Sequence, residues 1–175
     1  MPPAEPQSKT NGFRAWFLEQ LAMYMAYHRN RRNQATHHVG VPLIVFSLFV
    51  AFTQVPIGPV TLTVLVWVAL SVIYIAAVPL IGLCAAIFYG AVTLLAEYVA
   101  TGSTAQVWGV AIGGFVLGWI IQLVGHVFEG RRPALTANIL QIFMAPPFLI
   151  AEVFFALGSQ KQLESTLQAR SVKYN

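Results

Sequence analysis

Between Arg32 and Arg131 the chain has no lysine or arginine, and its acids there are Glu97 and Glu129 alone. A water-soluble domain spreads charge over its surface, roughly a quarter of all residues. Here only 9% are charged and 57% are hydrophobic. A chain of this kind must cover its outside with apolar side chains, and lipid is the solvent that accepts them. Four apolar stretches fill the interval, residues 39–52, 60–80, 83–100 and 105–127, separated by Gln54, Pro56, Gly58 and Pro59, by Pro79 and Gly82, and by Thr101 to Thr104. The first begins a span, and the others approach the ~20 residues that a bilayer helix needs. The expected fold class is therefore all-α: a multi-pass membrane helical bundle with about four full spans. Gly109, Gly113, Gly114 and Gly118 in the last stretch make two small-xxx-small pairs, which let helix backbones approach closely.

The flanks complete the plan. Residues 1–12 are polar and proline-rich and read as a disordered tail, with no apolar core of a secretory signal behind them. Over 13–28, Phe13, Trp16, Phe17, Leu21, Tyr24 and His28 recur at steps of three and four, a helical stripe directing His28 inward. That stripe suits a helix at the membrane interface and equally one packed on the bundle. The run 139–157 has Pro146 and Pro147 near its middle, which predicts a proline-broken hairpin or a kinked fifth span. Lys161, Arg170 and Lys173 beyond it favour the hairpin, because cations stay on the cytoplasmic side. The expected organisation is one membrane-embedded catalytic domain over 13–158 and a polar C-terminal tail over 159–175, a short helix with a frayed end. The net charge of +4 does not indicate nucleic acid, because its cations flank apolar runs instead of covering a folded surface. Cys84 is the single cysteine, so no intramolecular disulfide can form.

Polar chemistry gathers at two places. Residues 27–42 read YHRNRRNQATHHVGVP and hold His28, His37 and His38; the fourth histidine, His126, stands in QLVGHVFEGRRPA at 122–134. Four crossings between His38 and His126 return the chain to its starting face. Arg29, Arg31 and Arg32 at one place, and Arg131 and Arg132 at the other, mark that face as cytoplasmic. Gln122, His126 and Glu129 follow at steps of four and three and share one helical face, as Asn33 and His37 do if their segment is helical. His37 and His38 stand roughly 100° apart on a helix, so one of them points at a given centre. Gly40 and Pro42 predict an irregular entry into the first span, bending towards the site.

Imidazoles without cysteine suit iron, zinc or another divalent metal, and spacing does not choose among them. No His-Glu-x-x-His, Gly-rich phosphate loop or Gly-x-Ser-x-Gly elbow is present. Ionisable groups at membrane depth are costly and mark function.

His28, Asn33, His37, Gly40 and Pro42, followed by Gln122, Gly125, His126, Glu129, Pro133 and Ala134, resemble the motifs of the membrane family of 2-hydroxy fatty acid dioxygenases. The resemblance runs from about Phe13 to Gly158. It implies an Fe(II) enzyme that uses O2 to shorten a 2-hydroxy long-chain fatty acid by one carbon, as in α-oxidation. It implies His28, His37 and His126 as metal ligands, with His38 or Glu129 as further candidates. Glu129 is expected among the catalytic residues, in the ligand set or accepting a hydrogen bond from a ligand. Asn33, Arg131, Arg132 and Gln122 are the expected substrate-binding residues. A 2-hydroxy acid chelates iron through carboxylate and hydroxyl, and its anionic charge offsets a centre ligated by neutral imidazoles. The partners are then substrate, O2 and the lipid bilayer, with no nucleic acid and with oligomeric state open. The setting is a bacterial inner membrane or endoplasmic reticulum, with the site facing the cytoplasm. The competing reading is a non-enzymatic transporter or lipid-binding scaffold with structural histidines. It calls for internal repeats and polar groups midway through the spans, and neither is evident.

Overall fold

The computed structural model describes residues 12–133 and 139–174. Of the tail expected over 1–12, residues 1–11 lie outside them, as do residues 134–138, and Gly12 is helical. In chain order the elements are α1 (Gly12–Ala26), α2 (Arg31–Phe52), a two-stranded hairpin of β1 (Pro56–Ile57) and β2 (Val60–Thr61), α3 (Leu62–Ala77), α4 (Pro79–Val99) and α5 (Thr104–Glu129). A 3-10 helix (Ile139–Phe143), α6 (Ala145–Ala156) and α7 (Lys161–Ser171) follow. The protein is an all-α membrane helical protein. Among the described residues, α2, α4 and α5 are long and apolar enough to cross a bilayer, while α3 has 16 residues. Large apolar side chains such as Leu94, Val127 and Ile87 stand exposed on α4 and α5, as a lipid-facing surface requires.

Two helix pairs organise the bundle. Only Val78 separates α3 from α4, and a Cβ on Gly82 would lie 2.3 Å from the Tyr74 carbonyl carbon, so glycine is what lets this turn close. In the other pair, α5 lies along α2 through Gly114, Gly118 and Gly125. A Cβ on them would meet Ser47 Oγ at 2.3 Å, Ile44 Cγ1 at 2.6 Å and Thr36 Oγ1 at 2.0 Å. Gly109 and Gly113 meet nothing within 4 Å, so of the two expected small-residue pairs only Gly114 and Gly118 serve this contact.

Three local expectations are corrected. The entry to the first span is not irregular: α2 starts at Arg31 and runs unbroken through Pro42. Gly40 serves packing instead, its missing side chain making room for Gln122 Cγ at 2.8 Å and Gly118 O at 3.0 Å. Pro146 and Pro147 do not break a helix but begin one, in the first turn of α6, where the missing N–H groups have no helical partner to lose. With 12 residues, α6 rises about 18 Å, too little for a fifth crossing by itself.

Of the two readings for α1, the structure shows packing on the bundle. Phe17, Leu18, Leu21 and Tyr24 are buried, with Phe17 against Tyr74 and Tyr24 against Phe148, while Phe13 and Trp16 stay exposed. α7 docks back on α1, where Glu19 binds Lys173 at 2.7 Å and also accepts the Tyr174 hydroxyl. Every Lys and Arg among the described residues falls on α1, the α1–α2 loop, the start of α2, the segment after α5, or the C-terminal α7 region.

Candidate metal centre

His28 arrives from the α1–α2 loop, His37 from the second turn of α2 and His126 from the last turn of α5. All three are buried, at 3%, 2% and 7% exposure. One ring nitrogen from each lies within 4.8 Å of the others. The ring centroids are 4.6 Å apart for His28 and His37, 5.3 Å for His28 and His126, and 5.0 Å for His37 and His126.

Backbone carbonyls fix two of the tautomers. His28 Nδ1–H donates to Tyr24 O at 2.8 Å and His37 Nδ1–H donates to Asn33 O at 2.9 Å. Each is an i to i−4 contact that helical geometry supplies for free. With Nδ1 protonated, Nε2 keeps the lone pair, and the two Nε2 atoms face each other at 3.3 Å. Two lone pairs opposed at that distance repel unless a cation sits between them. Two nitrogens bound at about 2.0–2.1 Å to one ion and 3.3 Å apart subtend roughly 105°, between octahedral and tetrahedral values. His126 Nδ1 is buried and has no well-formed hydrogen bond among the described residues. Three buried imidazoles whose nitrogens converge, two of them with opposed lone pairs, fit a divalent metal ion.

The electrostatics agree. Burial, with His37 as the next cause, pushes the His28 imidazole down to about 3 from its usual 6.5. It stays neutral, as a ligand must be. In metal-free protein, acid therefore protonates His28 in the unfolded chain before the folded one. Stability should fall as pH drops from about 6.5 towards 3, by up to roughly 1.4 kcal/mol per unit. Thermal unfolding of metal-free protein in detergent between pH 7 and 4 checks this, and His28→Gln should flatten the slope.

Glu129 stands outside this group. Its Oε1 accepts Arg29 N–H at 3.1 Å, and its Oε2 accepts Asn30 N–H and Asn33 Nδ2 at 2.9 Å each. Asn30 caps α2, its side chain accepting Arg32 N–H, and the Glu129 carboxylate holds that capping residue and its neighbour by their backbone N–H groups. It ties the end of α5 to the loop that carries His28. Asn33 Nδ2 is thereby held by Glu129, while its buried Oδ1 has no hydrogen-bond partner among the described residues. Arg131 is also committed: it donates to Ala26 O at 3.0 Å and Tyr174 O at 3.1 Å, and lies over the Tyr27 ring. Arg132 is exposed, next to Pro133 at the cavity wall, and Gln122 lines the cavity. His38 turns away from the centre and pairs with Glu152 Oε2 of α6 at 3.2 Å.

The imidazoles line one end of a cavity of about 250 Å³ between α2, α3, α4 and α5. Its walls are mainly aliphatic and aromatic. Three side chains around the centre were not singled out from sequence. Tyr24 stacks on His28, centroids 3.9 Å apart; Gln141 lines the cavity at 1% exposure; and Glu152 holds His38. The available signals were the i−4 step from His28 to Tyr24, and a lone amide and a lone acid inside the apolar run 139–157.

Against known proteins, the family model for 2-hydroxy-palmitic acid dioxygenase Mpo1-like proteins matches residues 15–157. The 2-hydroxy-palmitic acid dioxygenase MPO1 of Saccharomyces cerevisiae is 35% identical over 153 residues, covering 85% of this chain and 86% of the yeast protein. No solved structure matches the chain. The family match spans α1 to α6 and takes in all three clustered histidines; the chain belongs to the Mpo1-like 2-hydroxy-palmitic acid dioxygenase family.

Proposed function

We propose that this protein is an Fe(II)-dependent dioxygenase that uses O2 to shorten a 2-hydroxy long-chain fatty acid by one carbon. The observation that carries the reading is the position of three buried imidazoles at one end of an apolar cavity. The name of the yeast relative points to the same substrate class. When bound, a ferrous ion supplies the redox chemistry that O2 requires and positions that a 2-hydroxy carboxylate can chelate.

The chain's own residues do the rest. His28, His37 and His126 hold the ion as neutral ligands. The carbonyls of Tyr24 and Asn33 fix the ring orientation of His28 and His37, and Tyr24 covers His28 with its own ring. Glu129 is a positioning residue: it holds the His28 loop and the first turn of α2 through backbone and amide donors. Arg132, exposed beside the cavity wall, anchors the substrate carboxylate by a charge-assisted hydrogen bond. Gln122 lies on the cavity side for the hydroxyl end of the substrate, and the acyl chain runs between the helices. The cations gathered at the histidine end support a cytoplasm-facing site in a multi-pass protein.

The test compares a 2-hydroxy long-chain acid with the same acid lacking the hydroxyl, by O2 uptake on purified protein. Loss of the chelating group should lower kcat/KM by at least about 10²-fold. Equal rates on both acids would rule out recognition by chelation.

A further inference from the structure

Three tyrosines line the cavity: Tyr24 from α1, Tyr74 from α3 and Tyr89 from α4. All are buried, at 4%, 3% and 6% exposure. A phenol in that setting normally finds a hydrogen-bond partner, and Tyr74 does, its hydroxyl donating to Phe143 O at 2.8 Å. Among the described residues, the hydroxyls of Tyr24 and Tyr89 have no such partner, and the space these side chains adjoin is the cavity. Tyr24 stacks on His28 with ring centroids 3.9 Å apart and planes within 12°, which keeps it beside the metal centre. Tyr89 lies near enough for a charge on it to be felt at Tyr24. The two phenols therefore belong to one region of the cavity.

A buried donor left unmatched costs stability. Proteins carry such a cost where a ligand completes the bond. The missing partner is an acceptor, because a phenol is protonated at neutral pH. A carboxylate accepts only, takes short charge-assisted hydrogen bonds, and loses its water on entering an apolar cavity. Arg132 stands exposed beside the wall, whereas Tyr24 and Tyr89 stand within it. We propose that the Tyr24 and Tyr89 hydroxyls are substrate-binding groups that donate hydrogen bonds to the carboxylate of the fatty acid. The inference deepens the dioxygenase reading above and rests on it for the identity of the head group.

The test uses Tyr24→Phe and Tyr89→Phe, each of which removes one hydroxyl and keeps the ring. The full chain is loaded with iron in nanodiscs, and binding of a 2-hydroxy long-chain acid is followed without O2, so that no turnover intervenes. Two readouts are taken: the affinity, and the infrared stretch of a carboxylate labelled with carbon-13 at saturating ligand. Each variant should keep its metal and a ligand-free Tm at or above that of wild type, since an unmatched buried hydroxyl is gone. Affinity should fall roughly ten- to a hundredfold, the worth of a hydrogen bond to a charged group, and the carboxylate stretch should shift. Either variant suffices if the other fails to fold. Weaker binding with an unmoved stretch would give the hydroxyls to another atom and overturn the proposal. A structural role, such as a bond from Tyr24 to the neighbouring Glu152, would lower the ligand-free Tm and leave affinity and stretch as they were, which also overturns it. Wild-type affinity together with intact O2 uptake in both variants sinks the tyrosine contacts and leaves the dioxygenase reading standing. Both expected changes, in a protein that takes up no O2 with the acid, keep the tyrosine contacts and sink the dioxygenase reading.

Discussion

Alanine in place of His37 is expected to remove the bound metal and lower turnover by at least about 10³-fold, since changes one shell further out already cost 10–100-fold. His37 offers the Nε2 that faces His28 at 3.3 Å, and of the three clustered histidines it is the one set inside the long helix α2. Without it the centre keeps two imidazoles from separate segments, too few to hold a divalent ion against water. The fold should survive, because α2 is held to α5 by glycine contacts from Gly114 to Gly125 and not by the imidazole. The check is metal analysis with O2 uptake, alongside gel filtration and Tm in detergent. A folded His37→Ala protein that retains metal and turnover would remove this histidine from the centre.

Glycine 125 should be nearly as sensitive, although it bears no functional group. A Cβ there would lie 2.0 Å from Thr36 Oγ1 and 2.5 Å from Asn33 Oδ1. The Thr36 hydroxyl and His37 Nδ1–H both donate to Asn33 O, and Asn33 Nδ2 donates to Glu129. A single added methyl group therefore presses on the residues that orient His37 and hold Glu129. Gly125→Ala should cost roughly 1–3 kcal/mol of stability by overpacking, and about 10²-fold in turnover for a shift near 1 Å at the site. Gly109→Ala is the control on the same helix. Its Cβ meets nothing within 4 Å, and the change gains up to about 1 kcal/mol of helix propensity. Equal effects from the two substitutions would show that close α2–α5 packing does not position the centre.

Much of this arrangement is legible in the order of residue types. The charge-poor interval from Arg32 to Arg131 calls for apolar, lipid-facing helices, and His126 at the end of α5 does stand beside His28 and His37. The 100° offset of adjacent helical residues separates His37, which faces inward, from His38, which finds Glu152. What sequence concealed is what depends on distance along the chain and on backbone donors. Glu129 reads as a ligand candidate because carboxylates bind metals, yet its partners are N–H groups some hundred residues away, which no spacing rule reaches. Pro146 and Pro147 read as helix breakers because their run is apolar on both sides, and only the observed start of α6 shows them in a first turn. Arg131 looks free beside Arg132 until the C-terminal segment folds back and offers it the Tyr174 carbonyl.

X-ray absorption on active protein purified without chelators or a nickel column tests the central claim most directly. The expected result is one iron per chain, with three imidazole nitrogens in its first shell at bond lengths near 2.0–2.2 Å. Active protein without a stoichiometric ion, or an ion whose first shell lacks imidazole, would contradict the three-histidine centre.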